Sequence, residues 1–582
     1  MKKLKILLIT CFFISLGLAS QEDTIQCAPK PMEIWDIMKW KTISDKVLCD
    51  DGKWFAWRTY SEESDGMVCI RNLEEDSLYE FGSGFGRSGQ MEFSGNHFMF
   101  IMFPNKEEQD KLKKEKKSGK NSLGIVDLKT GKLKKLQNVK NFGKPEESSD
   151  WIGIQFCVPD SRENKDEFRG SDFMLYHLAD SSFYNFGNVA EFQFDKTGKW
   201  LVLVIDAEDT ALNCVLLRNM ETGKVISVAS GKADFSKLSW TREGDGCCFL
   251  KAEEKKDYRE KSISIIGLYN LDKNDFKTVC YHPELDDRFP ENMAISPHFT
   301  PAWKEELDGI FFGIHKNEMT EEAKAKQDSC REKDEKSHED LPDMVIWHWQ
   351  DKRLQSQQWV TETGDKNYSY LSYFHLKNNQ FHQLANDSIR HYGTAKRGNF
   401  AIGYNQEKYK LQESLEGRSF RDLYVYDLTT GENHLALAKN RWYFGPSPDN
   451  RYFLYYEKGH FYTYDMKQRK SVNITASVPV SFINVEDDHN VTDPPYLPLD
   501  WSEDSKYVVL SDGWDLWKID RNGDHFQNLT RQGRKDKIRF GNEYKIDPDD
   551  EGIDFSGDVF FRMHGELNKK MGLAEFKKGS PL

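Results

Sequence analysis

Apolar and polar residues along this chain alternate in short runs, without the longer stripes of amphipathic helices. The clearest window is Pro498 to Thr530, PLDWSEDSKYVVLSDGWDLWKIDRNGDHFQNLT. A turn rich in Ser, Asp and Glu leads into the apolar run Tyr507 to Leu510, a second turn follows at Asp512 and Gly513, and a further run spans Leu516 to Ile519. Apolar runs of about four to eight residues between turn formers predict strands, whose side chains point alternately to two faces. The same order recurs in FGPSPDNRYFLYYEKGHFYTYDMKQRKSVNIT from Phe444 and in FQFDKTGKWLVLVIDAEDTALNCVLLRNMETGKVISV from Phe192. A blurred copy, VLCDDGKWFAWRTYSEESDGMVCIRNLEEDSLYEF, starts at Val47. Each copy joins a D-x-G/N/S-K/R-aromatic turn to a later hairpin of the type YDLTTGE.

Those hairpins begin at Ile70, Ile125, Leu175, Leu216, Leu268, Ile346, Phe374, Val425, Thr463 and Lys518. A period of about 50 residues is that of propeller blades with four antiparallel strands. The pattern predicts an all-β fold, a β-propeller of about eight blades or two propellers, with the last blade possibly incomplete at the C-terminus. Ten hairpins exceed one ordinary ring, so two rings are present or some hairpins are decorations. The close spacing of the pair at Gln350 and Asn378 favours a decoration or a junction, placed near 355–370, within a propeller region of 21–582. Two charged stretches, 105–120 and 316–339, are helix-compatible but lack an apolar stripe, and they read as solvated excursions between strands.

Composition narrows the setting. Residues 1–20 place Lys2, Lys3 and Lys5 before the apolar run Ile6 to Leu18 and the small pair Ala19 and Ser20. That layout predicts a secretory signal peptide, since the run is shorter than the ~20 residues that span a bilayer. Its removal takes the formal charge from −14 to −17, which disfavours nucleic acid and anionic lipid as partners. The expectation is an exported protein, periplasmic or extracellular, that does not span the membrane. Nine cysteines remain after cleavage, an odd number without a C-x-x-C pair, and most read as small core residues. The vicinal Cys247 and Cys248 point to opposite faces if they lie on a strand.

Candidate chemistry is sparse. Gly84, Gly86 and Gly89 have the G-x-G-x-x-G spacing of a dinucleotide site, but an aromatic strand pattern follows them where that chemistry needs a helix. They read as a flexible connection between blades. Asp547, Asp549, Glu551, Gly552 and Asp558 approximate a calcium loop, yet Pro548, Asp554 and strand-like flanks make a plain acidic turn the better reading. No G-x-S-x-G elbow and no H-E-x-x-H occur; GRSGQ at Gly86 and GPSPD at Gly445 come nearest to the elbow. His282 with Glu284 and His564 with Glu566 read as surface or core residues, and Glu305-Glu306 as part of a hydrated turn.

The signal peptide, the segment MEIWDIMKWKTISDKVLCDDGKWFAWR, the turns SPDNRYFLYY and SEDSKYVVL, and the pieces DMVIWHWQDKRLQSQQ and FSGDVFFRMHGELNKKMGLAEFKKG together resemble the N-terminal propeller part of exported prolyl-oligopeptidase-family (S9) serine peptidases, of the dipeptidyl-peptidase and acylaminoacyl-peptidase kind. The resemblance extends over essentially the whole mature chain. It implies a separate α/β-hydrolase domain carrying Ser, Asp and His, which needs a further couple of hundred residues. No catalytic, cofactor-binding or metal residue of this chain can be assigned from it. The function expected is therefore a propeller of a truncated or split S9-like peptidase that gates and positions peptides, inactive alone, with peptides or a separate hydrolase domain as partners and no cofactor. The alternative is a stand-alone peptide- or glycan-binding propeller. An incomplete last blade would leave an exposed sheet edge through which chains could associate.

Overall fold

The computed structural model describes residues 31–577 apart from 148, 160–168, 257, 259, 274, 318–345, 546, 548 and 549. The signal peptide, Cys27, Cys330 and most of the 316–339 stretch lie outside the described residues. The chain divides into two compact units. The first comprises Met1–Phe142, Ser148–Cys157 and Tyr176–Phe183; the second comprises Gly143–Glu147, Val158–Leu175 and Tyr184–Leu582.

In the first unit, strands Thr42–Leu48, Trp54–Tyr60, Gly66–Asn72 and Leu78–Gly84 pair in chain order as one antiparallel sheet. Strands Met91–Ser94, His97–Met102, Asn121–Asp127 and Lys132–Gly143 pair in the same way. Ala56, Val68 and Ile70 of the former pack on Phe93, Phe98, Phe100 and Val126 of the latter, so the core is a layer between two blades. The helix Lys106–Lys114, capped by Asn105, sits between the second and third of these later strands and buries none of its residues. That is the solvated excursion read from 105–120.

The second unit repeats the plan. Four-stranded antiparallel sheets span 234–281, 391–440, 442–473 and 500–528, and a three-stranded sheet spans 538–576. The 293–383 sheet has its first strand broken in two, Met293–Ile295 and Ala302–Trp303, and Pro297 and Pro301 stand in the gap. Strands within 184–230 form a further antiparallel set. Core layers again join neighbours: Val202 and Val215 meet Phe249 and Leu268, Ile265 meets Ile310 and Phe312, Phe311 meets Ala401, Val425 meets Phe453, Leu454 meets Trp501 and Val508, and Val509 meets Val559 and Phe561. Sheets stacked face to face in chain order are the architecture of a β-propeller.

The repeated turn has a local cause. At its first position a side chain accepts the backbone N–H five residues later: Cys49 Sγ from Trp54 (2.9 Å), Asp195 from Trp200 (2.6 Å), Thr241 from Gly246 (3.0 Å), Ser447 from Tyr452 (3.0 Å) and Ser502 from Tyr507 (2.9 Å). The fourth residue of each turn has positive φ: Gly52, Gly198, Gly244, Asn450 and Ser505. The small polar start and the Gly, Asn or Ser that follows are thus one device that reverses the chain between the first two strands of a blade.

Nine of the ten hairpins expected from the sequence stand as paired strands. The hairpin expected at Ile346 does not form. Ile346, Trp347 and Trp349 are exposed in a loop, and Gln355–Lys366 is a helix. Strand Gly309–Lys316 pairs directly with Tyr370–His375, so the chain between them is an insertion within one blade, at the place where the sequence left a decoration or a junction open. A further hairpin, Val559–Gly565 with Met571–Phe576, completes the set within RMHGELNKK and its flanks.

The glycines at 84, 86 and 89 serve packing. Gly84 has φ +73°, as a connection requires, but a Cβ on Gly84 would lie 1.9 Å from the Phe103 carbonyl oxygen and one on Gly86 2.2 Å from the Phe103 ring. The connection read as flexible is instead pressed onto Phe103, whose other neighbour is the Arg58 guanidinium, 5.3 Å from the ring centre. No helix begins there; the next strand starts at Met91.

Candidate functional site

A cavity of about 490 Å³ opens in the second unit. Three successive blades give it the same part of their plan, the end of the first strand and the turn after it. Trp240, Thr241 and Arg242 follow from strand Asp234–Trp240; Ala302, Trp303 and Glu305 from Ala302–Trp303; Thr394, Ala395 and Lys396 lie just beyond His391–Tyr392. Asp550 and Glu551, from the loop between Ile538–Glu543 and Val559–Gly565, close the remaining side.

The middle turn breaks the repeat. Lys304 stands where the five turns above place Cys, Asp, Thr or Ser, although its backbone still closes the turn onto Gly309 (3.0 Å). Its side chain is 2% exposed and donates to both oxygens of Asp308 (3.1 Å each) and to Asn399 (3.4 Å). A lysine this deeply buried is tolerated only when paired and hydrogen-bonded. It ties the turn to the next blade and so fixes Trp303 and Glu305 on either side of it.

Most charges of the cavity are already matched. Glu305 pairs with Arg397, and Glu551 accepts from Lys396 (3.3 Å) with Arg397 at 3.8 Å. Partial burial lowers the affinity of Arg397 for its proton, but the Glu305, Glu551 and Glu306 carboxylates together outweigh it, and the net shift is upward. Trp303 donates its indole N–H to the Cys247 carbonyl (3.0 Å). Two donors are not matched. Trp240 Nε1 and Arg242 Nε are shielded from solvent and have no hydrogen-bond partner among the described residues. Buried donors without acceptors are costly, about 1–3 kcal/mol each. The wall between them is apolar, formed by Trp303, Phe311, Ala302 and Ala395.

Glu543, at the start of the loop that carries Asp550, is the acid farthest from its ordinary behaviour. Burial, opposed by Lys545 and reinforced by Asp500, Asp550 and Asp554, pushes its carboxyl up to about 7.

The residues weighed from the sequence fall elsewhere or into structural roles. Of the calcium-like loop, Asp549 lies outside the described residues, Glu551 is held by Lys396 and Arg397, and Gly552 takes φ +82° against the Glu503 backbone. Glu305-Glu306, expected to be simply hydrated, instead joins blades: Glu306 accepts from the Gly398 N–H (3.0 Å). His282 caps a short turn by accepting from the Glu284 N–H (3.3 Å), and Glu566 pairs with Arg539 (2.8 Å) and Lys569 (3.2 Å). Ser447 of GPSPD is consumed by its turn, donating to Asp449 (2.5 Å). Asp487, Asp488 and His489 form the one metal-compatible cluster among the described residues, and all three are exposed. Sequence reasoning missed Trp240, Arg242 and Lys304. The available signal was the lysine at a position that in five other turns holds a small acceptor.

No protein-family model and no curated protein matches the sequence. Solved structures similar to the chain include the tricorn protease (11% identity, 74% of this chain and 35% of that one, TM-score 0.26). A prolyl endopeptidase matches with 12% identity over 74% of this chain and 55% of that one, TM-score 0.30. The β-propeller domain of the Trilobed protease from Pyrococcus furiosus matches with 12% identity over 69% of this chain and 98% of that one, TM-score 0.26. The chain spans about a third of the tricorn protease and just over half of the prolyl endopeptidase. At these TM-scores the superpositions are partial, and the propeller assignment rests on the sheets and interblade cores described above.

Proposed function

We propose that this chain is the exported, non-catalytic propeller of a peptidase system of the S9 kind, and that its part is to hold and position short peptides for a hydrolase carried by another domain or protein. The observation that supports the reading is Arg242, which lines a cavity with an apolar wall and a carboxylate rim and has no ion-pair partner among the described residues. A peptide's terminal carboxylate pairs with the Arg242 guanidinium on the cavity lining, its side chains lie along the apolar wall, and its amino group faces Asp550. A cavity of about 490 Å³ is of the size that small ligands occupy. Charge-assisted bonds in such a shielded place are roughly twice as strong as neutral ones.

Equilibrium dialysis against a mixture of tripeptides, followed by mass spectrometry, tests this. The expected result is retention of peptides that are recovered intact, with no serine labelled by a fluorophosphonate. Cleaved products, or labelling abolished by one serine substitution, would overturn the non-catalytic role.

A further inference from the structure

A second cavity, of about 380 Å³, opens in the second unit and shares no lining residue with the first. It lies where the loop carrying the helix Lys410–Glu416 meets the connection from Asn433–Asn440 to Trp442–Pro446 and the tip of the hairpin Tyr452–Glu457 to His460–Asp465. Four cations line it, Arg418, Lys439, Arg441 and Lys458, against two carboxylates, Glu457 and Asp493. Glu457 is engaged by Lys458 (3.3 Å).

The two arginines are the anomaly. Arg397, Arg451, Arg469 and Arg539 each meet a carboxylate in an ion pair. Arg418 reaches only a backbone carbonyl, that of Asn490 (3.2 Å), and Arg441 stacks on Trp442 with 4.9 Å to the ring centre. Neither has a carboxylate within ion-pair distance among the described residues. Partial burial and the neighbouring Arg418 disfavour the charged form of Arg441, and Asp487, beyond ion-pair distance, offsets only part of this. Two guanidinium groups brought into one cavity without a direct ion pair repel each other, and an anion that bridges them relieves this.

The walls add a second requirement. Phe420 and Trp442 are half-buried aromatic surfaces on the lining, with Lys439 5.2 Å from the Phe420 ring centre. The negative faces of aromatic rings attract the slightly positive C–H face of a sugar ring, while a simple inorganic anion gains nothing from them.

We propose that this cavity binds an acidic sugar, with its carboxylate or sulfate between Arg418 and Arg441 and its ring against Phe420 and Trp442. Peptide carboxylates share the charge but not the flat C–H face. The site is independent of the peptide cavity, so either can fail without the other.

Titration calorimetry of the whole chain with galacturonate, glucose 6-sulfate, glucose, inorganic sulfate and a tripeptide tests it. The expected result is that at least one of the two acidic sugars binds about tenfold or more tightly than glucose, sulfate or peptide, and that binding weakens as salt rises. Arg441→Gln should weaken it at least about tenfold. Lys458→Ala, at the exposed rim, should weaken it less and guards against loss of fold as the cause. Equal binding of sulfate and acidic sugar, tighter binding of the peptide, no binding of either acidic sugar, or an Arg441→Gln chain that is folded and binds as well as wild type would each overturn the proposal.

Discussion

Single residues show which parts of the sequence are shaped by packing and which by backbone conformation. Gly52 has φ +71° and nothing within 4 Å of where a Cβ would go. Gly52→Ala should therefore cost only the left-handed penalty, about 1–2 kcal/mol in chemical denaturation. Gly86→Ala should cost more, because its Cβ meets the Phe103 ring at 2.2 Å. Equal costs would refute the packing account of the G-x-G-x-x-G stretch. Arg58 is fully buried and leans on Asp45 (3.0 Å) and the Ile101 carbonyl (2.9 Å). Asp45→Ala strands that charge and should destabilise the first unit by about 3–5 kcal/mol.

Titration gives a further test at the same scale. The Glu543 carboxyl is raised to about 7 in the folded chain, against about 4.5 ordinarily. The native state thus holds a proton that the unfolded chain releases, and stability falls as pH rises from about 4.5 to about 7, then levels off. The carboxyl is only partly buried, so the loss stays below about 2 kcal/mol. Glu543→Gln should flatten that slope and stabilise the chain at pH 8; an unchanged pH profile would show that Glu543 is not so perturbed.

At the scale of elements, the blade turn was legible because everything that makes it lies within six consecutive residues. SPDNRY and SEDSKY announce a small acceptor, a positive-φ residue and the strand that follows. Ser502→Ala, which removes the hydroxyl that accepts the Tyr507 N–H at a buried site, should cost about 1–2 kcal/mol by denaturant titration. The hairpin at Ile346 misled for the complementary reason. IWHWQ alternates like a strand, but alternation counts only when a neighbouring sheet covers one face, and those tryptophans face solvent. Cys247 and Cys248 show the alternation rule succeeding, one side chain in each of two adjacent core layers. Burial pushes both thiols up, Cys248 to about 12. In the native state iodoacetamide should modify exposed Cys280 and leave this pair untouched, as mass spectrometry of the digested protein will show.

At the scale of the whole molecule, blades are built from neighbours in sequence, and sites are built from residues far apart in it. Trp240, Trp303, Lys396 and Glu551 meet only because successive sheets stack with a common orientation. No local pattern announces such a meeting, which is why the fold could be read from the chain and the cavity could not. The resemblance to S9 propellers pointed to peptides without naming a residue that holds them. The structure supplies candidates, and it ties them to a departure from the repeat at Lys304, buried between two blades.

The central claim, that the first cavity receives a peptide through its terminal carboxylate, is tested most directly by titrating the wild-type chain with one tripeptide as the free acid and as the C-terminal amide. The free acid should bind about tenfold more tightly or better, and Arg242→Gln should erase that preference. Equal affinity for the two forms, or a preference that survives in Arg242→Gln, would contradict it.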